Sequence, residues 1–145
     1  MDRPIRWGIL STGSIAGTFV NGLRALPEAQ VTAVGSRTRE AAEAFGDKFA
    51  IPRRHAGYEA LAADPEVDVI YVASLHPFHK ENALLCLRHG KAVLCEKPFT
   101  LNAREAEEVV AEARRRRLFL MEAMWTRFLP MTVRVREWLR EGVIG

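Results

Sequence analysis

The stretch GILSTGSIAG, Gly8 to Gly17, decides the fold. Ile5 to Leu10 is an apolar run of strand length, and from about Ile15 to Leu26 the apolar spacing becomes helical. Between them lies a short polar turn of Ser11, Thr12, Gly13 and Ser14. A strand that turns this sharply into a helix opens a βαβ unit. Aligned with the pattern G-x-G-x-x-A, the residues are Ser11-Thr12-Gly13-Ser14-Ile15-Ala16. Gly13 then stands where main chain approaches a pyrophosphate, and Ala16 where helix packs tightly on sheet. The free N–H groups of the first helical turn complete an anion cradle. Ser11 departs from the pattern, because a glycine usually makes that turn. Its hydroxyl can still donate to a phosphate. An ordinary strand–turn–helix has the same outline, so the loop needs support from elsewhere.

The second strand, Val31 to Gly35, supplies it. A domain that binds NAD usually ends this strand in a carboxylate that holds the ribose hydroxyls. Here the residues are Ser36, Arg37, Thr38 and Arg39. No carboxylate is present to repel a 2′-phosphate, and Arg37 offers a guanidinium fork to it and a plane to the adenine. Arg37 and Arg39 also fit as plain loop charges. The placement favours NADP over NAD.

Working outward, strand-like and helix-like segments alternate along the chain. Thr38 can cap a helix whose Ala41, Phe45 and Phe49 share a face. A short segment at Arg53 to His55 and a small helix near Tyr58 to Ala63 follow. Val67 to Ala73 is the most apolar run, and Pro77 suits the first residue of the next helix. Ala92 to Cys95 is a fifth strand. Asn102 and Glu105 have capping-box spacing at the start of a long helix. Leu118 to Met121 is a sixth strand, and a last helix is expected over Met131 to Arg140. The expectation is an α/β, Rossmann-type doubly wound parallel sheet of six strands in the order 3-2-1-4-5-6. Residues 1–124 would form the dinucleotide-binding domain, and 125–145 a connecting segment with a helix. The ending EGVIG starts an apolar segment after Gly142, which reads as a cut at a domain boundary.

Composition narrows the classes. The chain has 145 residues, 48% hydrophobic and 27% charged, which suits one globular domain. No run reaches the length of a membrane span, and no signal-peptide pattern opens the chain. Cys86 and Cys95 lack a CxxC spacing and read as buried free thiols, which suits a reducing cytoplasm. The net charge of +3 is modest. Arg114 to Arg117 close a helix, where the helix dipole favours cations. A nucleic-acid surface would need a broader basic face interleaved with aromatics.

The tips of strands four and five carry the candidate chemistry, in ASLHPFHK and VLCEKPFT. In open α/β sheets, ligands bind outside the carboxyl ends of the strands. His76 and His79 are three apart, but no third ligand is evident, so no metal is expected. His79 reads either as a pocket wall or as a helix-surface residue. Glu96 is placed to orient its neighbours. Pro98 fixes the turn, and X–Pro bonds admit a cis form.

The segments ILSTGSIA, SLHPFHKENALLCLRHGKAVLCEKP and MEAMWTRFLP together resemble the Gfo/Idh/MocA oxidoreductase family, within it the branch of the dihydrodiol and D-xylose dehydrogenases. The likeness covers essentially the whole chain. The Glu-Lys-Pro tripeptide is its most specific mark. The resemblance implies that Lys97 stands beside the nicotinamide as the catalytic residue, with His76 near the nicotinamide ribose. It matches His79 to a family histidine, and Tyr71 to a tyrosine of the branch that packing explains equally well. Trp125 and Arg127 would supply an apolar wall and a polar anchor near the cofactor. Core packing is the other reading of Trp125. Leu75 replaces a proline common in the family and alters that loop.

Two functions follow. One is an NADP-dependent oxidoreductase acting on a hydroxyl of a sugar or cyclic diol. The other is a nucleotide-binding module, or fragment, with no chemistry of its own. The family's C-terminal α/β substrate domain would begin where the sequence ends. It would supply a second catalytic group and the sheet of a homodimer.

Overall fold

The computed structural model describes residues 3–144. Its centre is β4, Val69–Val72, buried at every residue. Such a run, apolar on both sides, belongs inside a parallel sheet covered on both faces. β1, Ile5–Leu10, pairs with β4 on one side and with β2, Ala29–Ser36, on the other. β3, Arg53–Ala56, closes one edge, while β5, Ala92–Cys95, and β6, Leu120–Glu122, extend the other. All pairs are parallel and the order is β3-β2-β1-β4-β5-β6, as the alternation implied.

Alternate residues of each strand feed two cores. On one face Ile9, Val34 and Tyr71 meet Ala16 and Val20 of α1, Ser14–Leu23, and Phe45 and Phe49 of α2, Arg39–Phe49. On the other, Leu10, Ile70, Val72, Val93 and Cys95 meet three further helices. These are α3, Tyr58–Ala62, α4, His79–Arg88, and α5, Ala103–Arg116. Burying each such aliphatic side chain stabilises by about 1.5–3 kcal/mol.

The caps explain the helix starts. Thr38 accepts a hydrogen bond from the Ala41 N–H at 3.2 Å, and Asn102 from the Glu105 N–H at 3.0 Å. Glu105 reaches back to the Leu101 N–H, one residue earlier than a capping box requires. Several boundaries differ from the sequence expectation; β2 begins at Ala29 rather than Val31, and β4 is shorter than its apolar run from Val67 to Ala73. α1 stops at Leu23 rather than Leu26. Pro77 opens a 3₁₀ turn, His76–Phe78, and α4 proper begins at His79. β6 begins at Leu120 because Arg117 adopts left-handed backbone and Leu118 N–H closes the end of α5 on the Ala113 carbonyl. A last 3₁₀ turn, Trp125–Phe128, leads into α6, Pro130–Glu141, which buries none of its residues.

The edge of the sheet where strands begin is laced with ion pairs. Arg6 forks onto Asp68 at 2.8–3.1 Å. Asp64, 3% exposed, accepts from Arg53 at 2.6 Å and lies 2.8 Å from the His55 ring. Lys91 donates to the carbonyls of Asp64 and Val67. Burial would raise the Asp64 pKa, but bonds from Arg53, the Glu66 N–H and His55 outweigh that and hold it at about 2. Lys91 is lowered, chiefly by burial. The charges at the opposite edge, where strands end, are arranged differently.

Candidate functional site

The loop between β1 and α1 bends at Ser11, whose φ of 88° lies in the left-handed region that favours glycine. The chain makes the expected turn with a serine, and its N–H is fixed on the Gly35 carbonyl at 2.9 Å. Gly13 caps α1 with ordinary extended backbone (φ −70°, ψ 174°), and no side chain caps that helix. A Cβ built on Gly13 would meet nothing within 4 Å. Gly17, by contrast, is explained by the fold, since its Cβ would stand 2.9 Å from Phe49. Nothing in the protein forbids a side chain at Gly13. The open space in front of it, beside the uncapped N–H groups of α1, fits a phosphate group. Thr12, Gly13 and Ser14 border a cavity of about 440 Å³ that reaches Lys48 and Phe49.

At the tip of β2, Ser36 is buried and its Oγ lies 3.5 Å from Thr12 Oγ1, which ties the first two strand ends together. Arg39 pairs with Glu43 one turn along α2. Arg37 is exposed and forms no ion pair among the described residues. Arg37, the arginine that the sequence singled out, is thus unpaired among the described residues, while Arg39 is not. Arg37 and Ser11 share a second cavity, about 320 Å³, with Tyr58, Ser74, Leu75 and Phe78.

Across the crevice, the loop after β5 is held at several points. Glu96, 7% exposed, accepts from the Tyr71 hydroxyl at 2.5 Å and from the Lys97 N–H at 3.0 Å. Lys97–Pro98 is a cis peptide. The Pro98 carbonyl lies 2.8 Å from His79 Nδ1, and the Phe99 N–H donates to Glu122 on β6 at 2.9 Å. The Lys97 side chain is exposed and makes no hydrogen bond or ion pair among the described residues. The main chain of this loop is fixed while its amine is free.

His79 is fully buried, and its Nε2 lies 2.9 Å from the Ser74 carbonyl. Its ring therefore bridges the loops after β4 and β5, a role that spacing could not reveal. His76 is exposed and sits edge-on to it, with ring centroids 5.5 Å apart. Among the described residues, no cluster of three or more acidic, thiol or imidazole groups is placed to hold a metal. Tyr71 is buried, and its pKa is raised by burial and then by its bond to Glu96, so the hydroxyl stays a donor. Phe19 stacks on it with centroids 3.8 Å apart.

Tyr71 and Glu96 form part of the wall of an apolar cavity of about 520 Å³ with Ile15, Phe19, Leu94 and Trp125. Trp125 is 58% exposed and faces this cavity, so it is not core; Arg127 is exposed on the same turn. Sequence reasoning missed Phe19 and Phe128, which also line it, and Asn82, a buried amide that donates to Ser74 Oγ at 2.9 Å. Asn82 lies one helical turn after His79, and that spacing was the available signal.

Comparison with known proteins bears on the fold and the family. The GFO_IDH_MocA family model, described as an oxidoreductase family with an NAD-binding Rossmann fold, matches residues 5–124. The chain is 52% identical over 143 residues to trans-1,2-dihydrobenzene-1,2-diol dehydrogenase of Mus musculus, and 50% identical to that of Homo sapiens. Each match covers 97% of this chain and 43% of the relative, so the chain spans less than half of their length. A crystal structure of a 3-ketoreductase from Actinomadura kijaniata in complex with NADP and TDP-benzene superposes with a TM-score of 0.90 at 38% identity, covering 99% of this chain and 44% of that one. With six parallel strands in this order and a family match across all of them, the chain belongs to the Gfo/Idh/MocA oxidoreductases and carries their NAD-binding Rossmann fold.

Proposed function

We propose that this chain is the cofactor-binding half of an NADP-dependent dehydrogenase that oxidises a hydroxyl of a sugar or cyclic diol. The observation that carries the reading is the Glu96–Phe99 loop, anchored on three neighbouring elements with only the Lys97 amine left free. A fixed loop presenting one unbonded amine at the carboxyl edge of the sheet suits proton transfer at a substrate oxygen. Residues 1–124 would be the dinucleotide-binding domain and 125–145 the passage to a substrate domain.

Ser11 to Ile15 and the α1 N–H groups would bind the pyrophosphate, and Ser36 with Arg37 the 2′-phosphate. The NADP complex of the ketoreductase supports that cofactor choice. His76, Tyr71, Trp125 and Arg127 would border the nicotinamide half, with His79 holding the two loops in register. A nicotinamide cofactor held there would supply the carbon that accepts hydride from the carbinol carbon. The Lys97 amine, in its neutral form, would hold the substrate hydroxyl and take up its proton as the carbonyl forms. Trp125 and Phe128 keep water from the reacting face.

The complete protein would be a cytoplasmic homodimer, in keeping with two buried free thiols and the apolar residues exposed on α6. A second reading, a nucleotide-binding module without chemistry, draws support from the 43% coverage of the relatives. Turnover with a trans-dihydrodiol and with D-xylose tests the first reading. Lys97→Met in an active preparation should lower turnover by about 10²–10⁴-fold. NADPH affinity should change little. Unchanged turnover would remove Lys97 from the chemistry.

A further inference from the structure

Glu96 is unusual among the acidic side chains of this protein. It is 7% exposed and forms no ion pair among the described residues. Asp64, the other buried acid, is paired with Arg53. Both Glu96 oxygens accept hydrogen bonds, one from a phenol and one from a main-chain N–H, which is the pattern of an ionised carboxylate. Two neutral donors orient that charge without cancelling it. An uncompensated buried charge is costly, and a site that keeps one has a use for a cation.

The position says which cation. Glu96 stands at the wall of the apolar cavity of about 520 Å³. Ile15, in the first turn of α1, belongs to the same wall, so this cavity begins where the phosphate cradle ends. Arg37 follows β2, which lies on the other side of β1 from β4 and β5. A dinucleotide with its pyrophosphate at Gly13 and its 2′-phosphate at Arg37 has its other ring on the Glu96 side. That ring carries a permanent positive charge when oxidised and none when reduced.

We infer that Glu96 is the counter-ion of the oxidised nicotinamide ring and makes this site discriminate NADP⁺ from NADPH. The inference rests on the cofactor placement given above. Tyr71 acts as a positioning residue, aiming the carboxylate, and the apolar lining from Phe19, Leu94 and Trp125 keeps the interaction from being screened. The 2′-phosphate contacts do not distinguish the two oxidation states, so the preference resides in Glu96.

Equilibrium titrations on the chain test it, with 2′-phospho-ADP-ribose as the fragment that lacks the ring. In the wild type, the oxidised ring should add more affinity to that fragment than the reduced ring does. Glu96→Gln keeps the shape and removes the charge. It should weaken NADP⁺ relative to NADPH by about tenfold or more, the scale of one charge pair a few ångströms apart in a partly desolvated site. Tyr71→Phe keeps the carboxylate and should retain most of the preference. If Glu96→Gln shifts both cofactors equally, or the wild-type rings contribute equally, Glu96 is not the counter-ion and the inference fails while cofactor binding stands. If the folded chain binds neither cofactor nor the fragment, the cofactor placement fails and takes the inference with it. The wild-type comparison needs no variant, so a misfolded Glu96→Gln protein would not leave the question open.

Discussion

Replacing Gly13 with alanine separates what the fold needs from what a ligand needs. The glycine has φ −70° and ψ 174°, which any residue adopts, and the new methyl meets no atom within 4 Å. Two small effects on stability oppose each other. Alanine removes freedom from the unfolded chain, worth about 0.4–1 kcal/mol, and is a poorer helix N-cap than glycine by about 0.5–1 kcal/mol. The net change should be within about 0.5 kcal/mol, or roughly 2 °C in Tm for a chain of this size. Binding is another matter. The methyl occupies the space in front of the α1 N–H groups, and losing one charge-assisted phosphate contact costs about 1.5–3 kcal/mol. That corresponds to about 10- to 150-fold weaker NADPH binding. A fluorescence titration beside a thermal melt measures both. A variant with unchanged melting and unchanged affinity would show that the pyrophosphate does not lie at Gly13. A melt lowered by many degrees would show that the fold requires this glycine, and the reasoning would fail at its first step.

Three further outcomes can be checked with the same equipment. Arg37→Ala should weaken NADPH by about 1.5–3 kcal/mol, the range of a charged hydrogen bond, and leave NADH nearly unchanged; equal losses would remove Arg37 from the 2′-phosphate. Gly17→Ala should destabilise by about 1–3 kcal/mol through overpacking, because its Cβ would press on Phe49 at 2.9 Å. A melt like the wild type's would mean that the Phe49 ring yields freely. Asp64 has a folded pKa of about 2, below the usual carboxylate value of about 3.9, so its contribution is whole above about pH 4 and lost as pH falls toward 2. That contribution is no more than about 2 kcal/mol after solvent screening. Asp64→Asn should flatten the acid limb of stability measured by circular dichroism, and an unchanged limb would place the acid sensitivity elsewhere.

The sheet was legible because parallel strands buried on both faces leave continuous apolar runs, and β5 coincides with its run from Ala92 to Cys95. Thr38 and Asn102 were readable as caps because capping is local, acting three residues ahead. The turn at Ser11 was legible in place but not in geometry. The pattern asks for glycine there, and only the backbone shows that serine takes up φ 88°. The bonds that build the site were harder to see. Tyr71 and Glu96 are 25 residues apart, and they meet because β4 and β5 align Val72 with Cys95, leaving Glu96 just past the strand end. No periodicity encodes that register. His79 suited a pocket wall or a helix surface, and its burial between two carbonyls is neither. Arg37 was singled out by its place after β2, but that Arg39 is paired with Glu43, four residues on, shows only in the structure.

The last helix has a consequence for isotope exchange. α6 buries none of its twelve residues, and Met131, Val133 and Leu139 point into solvent. A helix of that length has little stability of its own in water. Its amide protons should therefore exchange with deuterium nearly as fast as those of a free peptide, while the amides of Ile9, Leu10 and Ile70 wait for unfolding of the whole sheet. An exchange experiment on this chain would resolve two populations, a slow one from the sheet and a fast one from the residues after Pro130. Anything that covers the apolar side of α6 would move the fast population toward the slow one. That makes the helix a built-in reporter of whatever surface it meets.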